Sequence, residues 1–296
     1  MPRSESPAPA AASPARLHAL ALVLACAAAM FVSAAVAAAG TLRVCADPNN
    51  LPFSNRALAG YENKLADILG SALNETVAYT WHAQRRGFFR DTLDANKCDV
   101  VISVPQRLSL VETTRPYYRS GYVFVSRTER HIDLRSIRDP RLHHLTVGVE
   151  TIGNEGFNTP PEHALAAQGI ADNVVRYSVY GNDKKPNPPA RVITAVAKGD
   201  VDIAAAWGPL AGYFAKHSAV PLTVTPIIDT ASFPSLQFQY DIAMGVRKGD
   251  GALRAKLDSI VAEKRPQIES LLESYGIPLI PHREQSSLEM KMQPDN

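Results

Sequence analysis

Two short stretches, one in each half of the chain, share a single design: Cys98-Asp99-Val100-Val101-Ile102-Ser103-Val104-Pro105 and Val201-Asp202-Ile203-Ala204-Ala205-Ala206-Trp207-Gly208-Pro209. In each, an acidic residue opens an apolar run and a helix-breaking, proline-containing loop closes it. A run without polar alternation reads as a strand covered on both faces, as in the parallel sheet of an α/β domain. Ligands of such sheets bind beyond the carboxyl ends of the strands. Two units of this kind predict two α/β lobes, each offering a loop to one shared cleft.

Residues 1–39 read as a signal peptide. Arg16 is the last charge before an Ala/Leu/Val-rich stretch that ends in Ala37-Ala38-Ala39 ahead of Gly40, the small-residue pattern of a cleavage site. Cys26 lies inside the apolar stretch and reads as a bystander to lipid attachment. The remainder is long enough for one large or two small domains. A formal net charge of +2 leaves no polyanion-binding footprint, so nucleic acid is not an expected partner. An exported, soluble protein of the periplasm is expected.

Two cysteines remain beyond the leader, Cys45 and Cys98. An oxidising compartment favours a bridge. Strand geometry argues against it, because Cys45 ends one strand while Cys98 precedes another. A stagger of about three residues amounts to roughly 10 Å along neighbouring strands, and a bridge needs Cα atoms within about 7 Å.

Leu42–Ala46 predicts a first strand, and the turn-rich 47–55 segment a loop. From Tyr61, the apolar positions Leu65, Ile68, Leu69, Ala72 and Leu73 mark one face of a helix. Strands at 77–81 and from Asp99 complete a βαβαβ order, with a helix at 88–95 between them. Strand 121–127 leads into polar residues 128–141, which show no core-like run. The second lobe reads as strand 145–149, a helix from Pro160, strand 174–179, helix 191–198, the Asp202 strand, helix 210–216 and strand 222–226. Strand 241–246 and two helices, the first capped by Asp250, return to the first lobe. The lobes are thus expected at 40–126 with 241–281 and at 127–240, and residues 282–296 as a disordered tail.

Several stretches, among them LRVCADPNNLPFSN, GYENKLADILGSAL and YDIAMGVRKGD, resemble the two-lobed type II periplasmic solute-binding protein fold. VCADPNNLPFSN, YTWHAQRRGFFRDTL, CDVVISVP, TTRPYYRSGYVFV and ARVITAVAKGDVDIAAAWGPLAGYFA resemble a narrower group within it. These are the accessory binding proteins encoded beside quinoprotein methanol dehydrogenases, the J component of methanol oxidation clusters. The resemblance implies a non-enzymatic role in maturing or activating a periplasmic methanol (or related alcohol) dehydrogenase. The cofactor, pyrroloquinoline quinone (PQQ) with calcium or a lanthanide, belongs to that enzyme, and this chain needs none of its own. The dehydrogenase's cytochrome c is a further candidate partner. A solute-binding component of an ABC importer is the rival reading. An enzyme would require a convergent acid–base pair in the cleft, and none is legible in the sequence.

The cleft is expected to be lined by Asp47, Asn49, Asn50 and Phe53 of the first loop, Ser103 and Pro105, Gly153, and Trp207 with Gly208. Asp47 matches an amine-facing position of this fold and equally suits a turn. Amino-acid binders of the fold resemble a clamp of an Arg for the α-carboxylate and a second-lobe Asp for the ammonium. Here the first-lobe threonines are missing, leaving Arg107, and Trp207 stands at the Asp position, so zwitterionic amino acids are poor candidate ligands. Arg85, Arg86 and Phe88 form a knot of charge and aromatics of the type enriched at interfaces, and are candidates for partner contact. No His/Asp/Glu spacing resembles a zinc or calcium site.

Overall fold

A computed structural model describes residues 40–152, 157–179, 188–228 and 230–281. The expected signal peptide, the expected tail and Gly153 lie outside them. The first lobe opens with β1 (Thr41–Ala46), the paired β2 (Asn49–Asn50) and β3 (Ser54–Asn55), helix α1 (Tyr61–Leu73) and β4 (Thr76–Trp81). Helix α2 (Phe88–Asp91), β5 (Val100–Pro105) and β6 (Glu112–Thr113) follow, and β7 (Tyr118–Arg127) leaves the lobe. The second lobe holds β8 (Val147–Ile152), β9 (Phe157–Asn158), α3 (Pro160–Ala167), β10 (Val174–Ser178) and α4 (Arg191–Lys198). It continues with β11 (Ile203–Trp207), α5 (Gly208–Lys216) and β12 (Leu222–Pro226). β13 (Gln239–Val246) returns to the first lobe, where α6 (Gly251–Glu263) and α7 (Arg265–Ser274) complete it.

One sheet path runs through both lobes in the order β10-β8-β11-β7-β13-β5-β1-β4. Each lobe contributes three parallel strands, β4, β1 and β5 in the first and β10, β8 and β11 in the second. The crossing strands join them antiparallel. β7 pairs with β13 over Tyr118–Gly121 and with β11 over Tyr122–Ser126, so the chain changes lobe at Tyr122. Apolar packing divides at the same place. Leu42, Leu65, Ile102, Met244 and Leu272 share one core, and Phe124, Leu142, Val149, Leu165 and Ile203 another. The stretch 128–141, which looked too polar for a core, buries Leu134 and Ile137 fully in the second lobe.

The two repeated units do the same job in each lobe. Asp99 N–H donates to Arg43 O, and Arg43 N–H returns a bond to Asp99 Oδ2. Asp202 N–H donates to Thr146 O, and Thr146 N–H returns a bond to Asp202 Oδ2. The acidic residue thus clips the start of an inner strand to the strand beside it. Arg43 on one side and Arg130 on the other complete the charge.

Two expectations need correction. Cys45 and Cys98 form a disulfide, with Cα atoms 5.4 Å apart. The three-residue stagger is real, since Cys45 registers with Val101. The distance estimate failed because Cys98 is not on the strand line. The turn before β5 crosses the sheet face, and Thr80 Oγ1, in register with Cys45, donates to Lys97 O at 2.7 Å. Cys98 therefore lies over Cys45, in a small core with Phe88, Leu93 and Val101. The second correction concerns Gly208-Pro209. No loop closes the second unit; Trp207 caps α5 directly and Pro209 sits in the first turn, where a missing N–H costs nothing.

A third connection spans the lobes. After α7 the chain passes Gly276 and reaches β7, where Ser120 Oγ donates to Pro278 O at 2.6 Å and Ile280 N–H to Arg119 O at 2.9 Å. Lys216 Nζ donates to Ser274 O, and Tyr213 stacks on Tyr275 with centroids 5.7 Å apart. Gly212 makes this approach possible, because a Cβ there would stand 2.0 Å from Gly276 O.

Gly60 is as constrained. Its Cβ would stand 2.0 Å from Phe53 O, where the β2–β3 loop is bonded to the start of α1 through Tyr61 N–H to Pro52 O and Glu62 N–H to Phe53 O. Gly60→Ala is expected to cost about 2 kcal/mol or more, since backbone must move. Thermal melting checks this; an unchanged melt would mean that the loop can shift away freely.

Candidate functional site

Between the lobes lies a cleft of about 410 Å³. At one edge of it, β2 of the first lobe lies near the 3₁₀ turn Pro188–Ala190 of the second. The first lobe lines it with Asn50, Phe53, Glu62, Gln84, Ser103 and Pro105, and the crossing strands with Tyr118, Tyr122 and Tyr240. Glu150, Val179, Pro189, Trp207 and Leu210 face it from the second lobe.

Of the expected residues, Asn50, Phe53, Ser103, Pro105 and Trp207 meet at this cleft. Asp47 does not line it. Its carboxylate accepts from Asn49 N–H at 2.8 Å and Gln84 N–H at 2.6 Å, the turn role that its residue type also allowed. Asn49 likewise stays outside the lining and is held in the β2–β3 pair. Gly208 is packing space, since a Cβ would meet Gly121 O at 2.5 Å. Arg107 is exposed and does not reach the cleft, so no guanidinium clamp forms there.

On the first-lobe side the polar floor is a hydroxyl network. Tyr61 Oη lies 3.0 Å from Ser103 Oγ and 2.9 Å from Tyr118 Oη, and Ser103 Oγ lies 2.7 Å from Tyr117 Oη. Burial pushes the Glu62 carboxyl up to about 7, with the Ser103 hydroxyl opposing and the charge of Asp47 adding to the rise.

The second-lobe side is built on Trp207 and Glu150. Trp207 ends β11, and its ring meets Tyr122 at 5.4 Å and 64° and Tyr240 at 5.6 Å and 80°. Its backbone N–H donates to Glu150 Oε2 at 2.8 Å, which seats the carboxyl at the start of α5. Glu150 is 2% exposed, and its Oε1 has no hydrogen-bond partner. Burial pushes this carboxyl up to about 7, the Trp207 N–H pulling against it.

Sequence reasoning took the indole at 207 as the loss of the second lobe's acid. Glu150, one strand over, supplies that acid, so the expectation is corrected. Glu62 and Glu150, neither of them among the residues expected at the site, both line the cleft. Both left a signal in the chain. Glu62 falls one turn before Leu65 and Ala66 on the buried side of α1, and Glu150 follows directly on the apolar Val147–Val149. Phe88, expected at a partner interface, is 3% exposed in the core around the disulfide. It props the segment from inside, while Arg86 is exposed and Arg85 half-buried.

Two α/β lobes, antiparallel crossing strands and a ligand-sized cleft between them define a binding protein of the two-lobed type. The family model for bacterial extracellular solute-binding proteins, family 3, matches residues 42–276, and the chain belongs to that family. It is 34% identical over 254 residues to Protein MoxJ of Methylorubrum extorquens, covering 82% of this chain and 83% of that one. Among solved structures it is similar to the periplasmic binding protein XoxJ of Methylobacterium extorquens AM1, with 33% identity and a TM-score of 0.67. That match covers 81% of this chain and 100% of XoxJ. MxaJ of Methlophaga aminisulfidivorans MPT matches with 25% identity and a TM-score of 0.70, over 81% of this chain and 100% of that one. The protein is thus a MoxJ-like binding protein of that family. Among the described residues no helix is long and apolar enough to cross a membrane.

Proposed function

We propose that this protein is a periplasmic accessory binding protein for a PQQ-dependent methanol (or related alcohol) dehydrogenase, acting in maturation or activation of that enzyme. The observation that supports the reading is the likeness to MoxJ and XoxJ over 82% and 81% of the chain, rather than to one short motif. PQQ, with calcium or a lanthanide, resides in the dehydrogenase; this chain contributes contacts and lobe closure by population shift. Co-purification of the exported chain with the quinoprotein dehydrogenase and its cytochrome c, followed by dehydrogenase activity with and without the chain, tests the role. No association and no change in activity would remove it.

The exposed Arg86 gives a sharper test. Arg86→Glu is expected to weaken association with the dehydrogenase about tenfold or more at low salt, and to shift stability by less than about 0.5 kcal/mol. Raising ionic strength should weaken wild-type binding in the same direction, since exposed charges are screened within roughly 8–10 Å. Binding indifferent to both would place the contact elsewhere. Phe88→Ala is the contrasting variant, because its burial predicts a loss of stability of about 3 kcal/mol or more.

A further inference from the structure

We propose that the interlobe cleft is a site for a small organic cation, an alkylammonium or quaternary ammonium that carries no carboxylate. This goes beyond the accessory role and does not depend on it.

The volume comes first. About 410 Å³ between the lobes, with β2 and Pro188–Ala190 close together at one edge, suits a compact solute. Charge selects its class. Two carboxyls, Glu62 and Glu150, reach the cleft from opposite lobes, and no described lining residue is Lys, Arg or His. An anion or the carboxylate end of a zwitterion finds no counter-charge there, whereas a cation finds two acids.

Glu150 adds an observation of its own. A buried carboxyl oxygen without a donor is costly, and native proteins leave few of them. Oε1 of Glu150 is such an atom, in a residue that lines the cleft, while Oε2 is fixed by Trp207 N–H. A ligand that brings positive charge offsets that cost where no protein group does.

The walls fit the same chemistry. Tyr122 and Tyr240 stand steeply to the Trp207 ring, at 64° and 80°, so three aromatic surfaces border one volume. Phe53 lines it from the other lobe. Ring faces attract an ammonium electrostatically, most strongly when water is excluded. Acids alone would also suit a metal ion, but among the described residues no group of three His, Cys, Asp or Glu gathers to hold one. The aromatic box points to an organic cation.

The test is calorimetric titration of the protein with choline and ethanolamine. The controls are 3,3-dimethyl-1-butanol, the uncharged isostere of choline, and glycine betaine, the same cation with a carboxylate. At least one of the two cations is expected to bind about tenfold or more tighter than both controls. Glu150→Gln, which keeps shape and removes charge, should lower that affinity about tenfold or more without lowering the melting temperature. Trp207→Leu should lower it as well. Equal binding of choline and its neutral isostere, tighter binding of betaine, no binding of either cation at millimolar concentration, or full affinity in the folded Glu150→Gln variant would each overturn the proposal.

Discussion

Replacing Cys45 and Cys98 together by alanine is expected to lower the unfolding free energy by about 4 kcal/mol, and the melting temperature by roughly 10 °C. The bridge closes a loop with a sequence separation of 53, and a loop of that length gains substantial entropy in the unfolded chain when it is cut. Both sulfurs are buried, at 1% and 0% exposure, so the double variant is a cleaner probe than added reductant. Denaturant unfolding of the oxidised wild type and the variant measures the difference. A loss below about 1 kcal/mol would show that the core of Phe88, Leu93 and Val101 holds the β5 turn without the bond.

Stability should also fall as pH rises through the neutral range. Glu62 and Glu150 are raised by burial from 4.5 to about 7 in the folded protein. Between those values the folded state holds protons that the unfolded chain has released, so ionising the folded carboxyls costs stability. The contribution is fully present below about pH 4.5 and lost as pH climbs through about 7. Each carboxyl accounts for roughly 3 kcal/mol across that window. Melting curves of the ligand-free protein from pH 5 to 8 should fall accordingly. Glu150→Gln should flatten part of the slope and leave the variant more stable than wild type at pH 8. A wild-type slope of opposite sign would mean that both carboxylates are ionised and satisfied in the folded state.

Much of the fold was legible because its signals are local. Unbroken apolar runs at Val100 and Ile203 require cover on both faces, and Val100–Ile102 and Ile203–Ala206 are all buried. The helix of Tyr61, Leu65 and Leu69 follows from spacing alone, and Asp250 caps α6 through its bond to Leu253 N–H. What failed depends on chain paths that leave regular geometry. Cys98 reaches Cys45 only because the preceding turn folds over the sheet. Phe88 looked like surface because its neighbours are arginines, yet the short α2 turns its ring inward. At the site, the sequence supplied Asn50, Phe53, Ser103 and Trp207 from the strand-end rule. It missed Glu150 because attention to one acidic position hid another on the adjacent strand. Only the sheet order, β8 beside β11, brings that residue to Trp207.

The seam where Tyr213 stacks on Tyr275 and Lys216 reaches Ser274 bears on timing rather than on affinity. Two crossing strands alone let one lobe both swing and swivel on the other. The third passage, through Gly276 and Pro278, packs on both α5 and β7 and is expected to resist the swivel. Opening the cleft at β2 and Pro188 then shears the contact between α5 and α7. Tyr275→Ala, which removes the stack on Tyr213 without touching the cleft lining, is therefore expected to shorten the dwell time of anything held inside.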